Sequence, residues 1–233
     1  MSGPTSGHTS GPKSGTRLAV FDCDGTLVDG QAEVCTAMEA AFGELGLVAP
    51  PRHEVRRIVG LSLPAAMVRL APQANTAVRR ALDAAYRRQF RAAREAGRLV
   101  EPLFDGIPEL LDALLADGWL LGVATGKSAR GLAHCLEVHG LSRHFVTLQT
   151  ADNHPSKPDP AMLEAALSEA ATLRGNTVMI GDTVYDIHMA RAAAVTAIGV
   201  AWGYHAPEEL VEAGAVGVAR DCMELRRMLQ ELP

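Results

Sequence analysis

The chain has 233 residues, 48% hydrophobic and 21% charged, with a formal net charge of −5. That is enough to bury one core, or one core with a modest insert. The acidic balance gives no sign of nucleic-acid binding, and no apolar run is long enough to span a bilayer.

Residues 1–15 are mostly Gly, Ser, Thr and Pro. A stretch with so little apolar surface cannot offset its ordering entropy, so it reads as a disordered tail, with His8 solvated inside it. It lacks the apolar centre of a secretory signal. The cysteines at 23, 35, 135 and 222 have neither metal-type spacing nor the pattern of a disulfide framework. A reducing, cytoplasmic setting is expected.

The first apolar run, Leu18 to Phe21, stops at Asp22-Cys23-Asp24-Gly25-Thr26-Leu27-Val28-Asp29. Asp22 and Asp24 are two residues apart, so an extended chain points them to one side. Two carboxylates there repel unless a cation or a shared proton offsets the repulsion. Gly25 allows a sharp turn. Cys23 points the other way and is expected to act as a small buried hydrophobe.

Residues 31–100 read as several helices, rich in Ala and Arg. Leu82, Tyr86 and Phe90 recur every four residues and mark one buried face. Between Gln31 and Glu101 there are eleven arginines, no lysine and seven acids, so this segment is +4 and the remainder −9. A positive insert facing a carboxylate-rich site would help collect an anionic substrate. The plain alternative is a solvated helix face made by Arg87, Arg88, Arg91, Arg94 and Arg98.

After a helical pattern at Pro108–Ala116, the run Trp119–Ala124 ends in Thr125-Gly126-Lys127-Ser128. A hydroxyl and free N–H groups at a helix start make an anion site. A nucleotide P-loop would need glycine at position 121, which is Leu, so that reading is rejected. Phe145–Leu148 runs into Gln149-Thr150. Lys157-Pro158 follows, in a loop stiffened by prolines. A lone lysine is usually solvated, but an ammonium held there suits a phosphoryl oxygen.

A helix over Pro160–Ala171 leads to the run Thr177–Ile180, which ends in Gly181-Asp182-Thr183-Val184-Tyr185-Asp186. A helix beginning near Asp182 would put Asp182 and Asp186 on one face. Either acid alone reads as a helix cap. Acids at both this strand end and the first call for converging oxygen ligands around a hard cation such as magnesium. A last run, Ala197–Ala201, precedes Trp202-Gly203, and residues 222–233 read as a final helix.

Buried runs alternating with helices indicate a parallel sheet, with chemistry gathered at the carboxyl ends of its strands. The expected fold is α/β: a Rossmann-like parallel core over residues 16–29 and 102–233, with a small helical domain, residues 30–101, inserted after the first strand.

In order, Asp-x-Asp-Gly-Thr, Thr-Gly, Lys-Pro and Gly-Asp-x-x-x-Asp resemble the four motifs of the haloacid dehalogenase superfamily, over Leu18 to about Gly203. The nearest look is to phosphoglycolate phosphatases, and the stretch Ile198 to Tyr204 resembles theirs. The resemblance implies that Asp22 is the nucleophile and Asp24 the general acid and then base. It implies that Thr125, Gly126 and Lys157 hold the phosphoryl group. Magnesium would sit on Asp22, the backbone carbonyl of Asp24, Asp182 and Asp186. Residues 30–101 would be the cap that closes over a small anionic phosphorylated substrate.

The expected activity is thus a magnesium-dependent phosphatase working through an aspartyl-phosphate, on a substrate like 2-phosphoglycolate. No nucleic-acid or membrane partner is expected, and the chain would be a monomer or homodimer. Asp24 argues against 2-haloacid dehalogenation. The lack of a lysine in residues 31–101 argues against phosphonoacetaldehyde hydrolase and β-phosphoglucomutase activity. Pyrophosphatase, nucleotidase and sugar phosphatase readings stay open, as does an idle binding protein on the same fold. Within the insert, Arg56, Arg57 and Gly60-Leu61-Ser62 are candidates to touch substrate, because a Gly-containing loop there could face the core.

Overall fold

The computed structural model describes residues 15–232. Of the tail expected over residues 1–15, residues 1–14, with His8, lie outside the described part. Among the described residues six strands form one parallel sheet: β1 (Arg17–Phe21), β2 (Trp119–Thr125), β3 (Thr147–Thr150), β4 (Thr177–Gly181), β5 (Thr196–Val200) and β6 (Val218–Ala219). Their order is β3-β2-β1-β4-β5-β6. The chain leaves β1 toward β2 and β3, then crosses back to β4. The order therefore reverses between β1 and β4, which is where open sheets of this kind leave a crevice.

Both faces of the sheet are covered, which explains why its strands are nearly continuous apolar runs. On one face Ala19, Phe21, Leu121, Val123 and Ile198 pack with α5 (Ile107–Ala116), α6 (Ala129–Val138) and α10 (Cys222–Glu231). On the other, Leu18, Val20, Met179 and Ala197 pack with α7 (Ala161–Glu169), α8 (Val184–Ala192) and α9 (Pro207–Ala213). Cys23 joins the first of these cores, with its Sγ 4.0 Å from that of Cys135.

Between β1 and α5 lie α1 (Gln31–Glu44), α2 (Arg52–Arg56), α3 (Leu63–Leu70) and α4 (Thr76–Glu95). They bury a separate cluster that includes Val34, Met38, Phe42, Met67 and Leu82. Asn75 caps α4 by accepting a hydrogen bond from the N–H of Val78 at 3.0 Å. Leu82 is fully buried, whereas Tyr86 and Phe90 are only partly so. The helical unit rests on the core through Arg57, which donates to both carboxylate oxygens of Glu209 at 3.0 and 2.8 Å. The carbonyl of Arg57 accepts from the Tyr185 hydroxyl at 3.1 Å. The N–H of Ser62 donates to the Ser156 hydroxyl at 2.8 Å.

Three details depart from the sequence reading. β3 starts at Thr147, not Phe145, because Phe145 is an anchor of the first core and pairing with β2 begins at Gly122↔Thr147. The two-residue β6 and the short α9 are too brief to leave a periodic signal. Among the described residues no helix is long and apolar enough to cross a membrane.

Leu121 is fully buried on the central strand β2. Leu121→Ala is expected to lower unfolding free energy by about 2–5 kcal/mol, through lost burial plus a cavity. Chemical denaturation tests this, and a loss well below that range would mean the site collapses around the smaller side chain.

Candidate active site

The crevice is built first by backbone. The N–H of Asp22 donates to the Ile180 carbonyl at 2.9 Å, which fastens the end of β1 to β4. The chain then turns, with Leu27 and Val28 donating to the Cys23 carbonyl at 2.9 and 3.0 Å. Gly25 takes φ +86°, and a Cβ there would lie 2.2 Å from Asp182 Oδ2. Only glycine fits that close approach in that conformation.

The side chains converge on Asp22. Its Oδ1 accepts from the N–H of Cys23 at 2.6 Å and pairs with Lys157 Nζ at 3.0 Å. Its Oδ2 is buried and has no hydrogen-bond partner among the described residues. Lys157 also donates to Asp186 Oδ1 at 2.6 Å. The other oxygen of Asp186 accepts from the N–H and hydroxyl of Thr183, at 3.1 and 2.7 Å. Asp182 accepts from the Thr26 hydroxyl at 2.9 Å and from the N–H of Tyr204 at 3.0 Å.

Asp22, Asp182 and Asp186 are all buried, and each offers an oxygen within 4.8 Å of the other two. Lys157 supplies one positive charge against these three carboxylates. Two negative charges then stay uncompensated in a dry site, which is unfavourable unless protons or a cation are taken up. With an oxygen-only donor set and the orphaned Oδ2, the residues fit a hard divalent ion.

Electrostatics point the same way. Burial pushes the Asp22 carboxyl up to about 7, against the pull of Lys157. Burial also raises Asp182, helped by the negative charges of Asp186 and Asp22. Lys157 loses some basicity to burial, but Asp186 and Asp22 more than restore it and hold it above the ordinary lysine value. It therefore stays protonated.

The carboxylate of Asp24 takes a different direction. It pairs with Lys127 Nζ at 3.0 Å, and Lys127 also holds Glu101. Burial raises the Asp24 carboxyl, with Lys127 opposing. Its side chain is outside the trio, which leaves its main-chain carbonyl as the only expected metal contact. Thr125 ends β2, the neighbour of β1, and Phe21 pairs with Val123, so Thr125 and Gly126 flank the Asp22 turn. The Thr125 hydroxyl oxygen accepts from the N–H of Lys127 at 3.2 Å, which leaves its own proton for an anion.

A cavity of about 550 Å³ opens beside Asp24. Gly126 and Lys127 border it from the core, and Gly60, Leu61, Tyr86 and Phe90 border it from the helical unit. A Cβ on Gly126 would lie 2.5 Å from the Leu61 carbonyl. The loop Gly60-Leu61-Ser62 thus touches the core as anticipated. Arg56 and Arg57 do not border the cavity, since Arg57 is engaged by Glu209 on the outer surface.

The structure therefore gathers Asp22, Asp182, Asp186 and Lys157 in one cluster, with Asp24, Thr125 and Gly126 at its edge. One expectation is corrected. Asp182 and Asp186 do not share a helix face, because α8 starts at Val184 and Asp186 completes a capping box with Thr183. They meet because Asp182 ends the strand and Asp186 folds back in the first turn. Asp186 thus both caps α8 and joins the site. Lys127 and Glu101 carried no sequence assignment. Lys127 stood next to Thr125-Gly126, a usable signal; Glu101 had none, since only folding brings it to Asp24.

The family model described as "Haloacid dehalogenase-like hydrolase" matches residues 19–200. The probable phosphatase IndB of Dickeya dadantii is 35% identical over 200 residues, covering 83% of this chain and 84% of that protein. A phosphoglycolate phosphatase of Agrobacterium fabrum is 32% identical over 189 residues, covering 80% and 81%. The crystal structure of a predicted phosphatase from Clostridium acetobutylicum superposes with a TM-score of 0.84 at 25% identity, covering 94% of this chain and all (100%) of that one.

A carboxyl raised by burial favours the folded state below its ordinary value of 3.8, and that contribution is lost as pH rises toward about 7. A divalent ion held by the ionised trio would reverse the loss. Magnesium is expected to raise the melting temperature by several degrees at pH 7.5 and hardly at pH 5. Asp182→Asn should abolish the shift. Equal shifts at both pH values, or in the variant, would contradict a site on these carboxylates.

Proposed function

The chain belongs to the haloacid dehalogenase-like hydrolase family, and from that premise we propose that it is a magnesium-dependent phosphatase acting on a small anionic phosphate monoester of the 2-phosphoglycolate kind. The observation that carries this reading is the buried, unpartnered Oδ2 of Asp22 beside a protonated lysine and two further carboxylates. The relatives named as phosphatases support the reaction class.

In this reading Lys157 and the first cysteine N–H hold Asp22 Oδ1, which aims Oδ2 at the phosphorus. Oδ2 forms a bond to phosphorus as the bond to the ester oxygen breaks, and Asp24 gives that oxygen its proton. Asp24, now ionised, takes a proton from water as the water attacks the aspartyl-phosphate. Phosphate leaves and the Asp22 carboxylate is restored. Thr125 and the N–H groups after it bind phosphoryl oxygens, and Lys157 neutralises charge on them. Asp22, Asp182, Asp186 and the Asp24 carbonyl would hold magnesium. When bound, the ion offsets the repulsion between a carboxylate nucleophile and an anionic phosphate.

Residues 30–101 act as a cap that shuts out water and selects the substrate, over a core formed by residues 16–29 and 102–233. The four unpaired cysteines support a cytoplasmic setting.

Release of phosphate from an aryl phosphate should require magnesium and stop on chelation. Asp22→Asn should reduce it to background, and Asp24→Ala should lower kcat by about 10²–10⁴-fold. Robust turnover by Asp24→Ala would remove it from acid–base work. Across a panel of phosphate compounds, 2-phosphoglycolate should exceed nucleotides and pyrophosphate in kcat/KM, and the reverse order would replace the substrate reading.

A further inference from the structure

The arginines of α4 do not share one environment. Arg79 donates to the carbonyls of Ala71 and Pro72, Arg87 pairs with Asp83, and Arg88 pairs with Glu44. Arg91 and Arg94 form no ion pair among the described residues, and both border the cavity. Across from them, Arg130 in the first turn of α6 also borders it without a carboxylate partner. Residues 87, 91 and 94 fall on one helix face, so the face turned toward the cavity is cationic.

Arg94 makes the strongest point. Its Nε is buried and has no hydrogen-bond partner among the described residues. Its Nη2 lies 4.0 Å from where a Cβ on Gly131 would stand, so the guanidinium spans from α4 to the start of α6. A buried donor left unpaired costs free energy, and gathered like charges add repulsion. The acids bordering the cavity do not relieve this. Glu101 and Asp24 are held by Lys127, and Asp152 Oδ2 accepts from the N–H of Ala129 at 2.8 Å. An anion placed among the three arginines resolves both costs, and a guanidinium fork suits a carboxylate or phosphate.

Between this end and Asp24 the cavity wall is apolar and aromatic, with Met38, Ile58, Tyr86 and Phe90. We propose that Arg91, Arg94 and Arg130 form a second anion site, so that the substrate is a phosphate monoester whose alcohol carries its own anionic group beyond an apolar or planar spacer. The proposal rests on the phosphatase reading and deepens it, from the single methylene of 2-phosphoglycolate to esters whose second anionic end stands further from the phosphate.

Two matched esters test it: phenyl phosphate and 4-(carboxymethyl)phenyl phosphate, whose leaving groups differ little except in charge. The carboxylate-bearing ester should have a kcat/KM about ten- to a hundredfold higher. In Arg91→Gln/Arg94→Gln that ratio should collapse toward one, whereas Arg88→Gln, on a residue engaged by Glu44, should leave it intact. Calorimetry with the two corresponding phosphonates reads binding without turnover. Turnover of both esters with equal constants overturns the second anion site and keeps the phosphatase. Tight, arginine-dependent binding of the carboxylate-bearing phosphonate, with neither ester turned over, overturns the phosphatase and keeps the site.

Discussion

Three carboxylates and one ammonium share the dry end of the sheet, and the arrangement around them answers that imbalance. Asp22, Asp182 and Asp186 lie close enough to repel strongly when ionised, and Lys157 neutralises only part of the charge. Each acid is therefore held by fixed donors: the N–H of Cys23 for Asp22, Thr26 and Tyr204 for Asp182, and Thr183 for Asp186. With Lys157 on Asp186 Oδ1, these bonds engage five of the six carboxylate oxygens and leave Asp22 Oδ2 without a donor among the described residues. A site organised in this way fits a hard cation and leaves one oxygen without a donor.

The sheet supplies the rigidity this needs. Because the strand order reverses between β1 and β4, the ends of two neighbouring strands present Asp22 and Asp182 side by side. The glycines around them are a consequence of crowding. At Gly25 a side chain would collide with Asp182, and at Gly126 with the Leu61 carbonyl of the helical unit. The first lets the carboxylates approach, and the second lets the helical unit come down on the core.

Two lysines divide the electrostatics. Lys157 serves Asp22 and Asp186, while Lys127 serves Asp24 and Glu101. Asp22 and Asp24 are two residues apart in sequence yet have different partners, which in the proposed reaction would let one serve as an aligned nucleophile while the other handles protons. Beyond Asp24 the cavity changes character, first to aromatic side chains and then to arginines. That gradient from the carboxylate end to the far end is what gives the cleft a direction.

The sequence by itself determined the α/β class, because a parallel sheet covered on both faces demands continuous apolar runs, and those runs are local. It also marked Asp22, Asp24, Thr125 and Asp182, since polar residues that abruptly end such runs stand out, and Lys157 and Asp186 through the prolines beside the one and the four-residue spacing of the other. It did not mark β6, α9 or the start of β3, which depend on edge pairing and on Phe145 leaving the strand for the core. Only the tertiary structure decided that Lys127 and Glu101 meet Asp24, that Asp182 lies outside the helix that Asp186 caps, and which arginines of α4 face the cavity. Those outcomes turn on distances between segments far apart in the chain, and a charged residue's spacing along a helix carries no record of which partner folding will set against it.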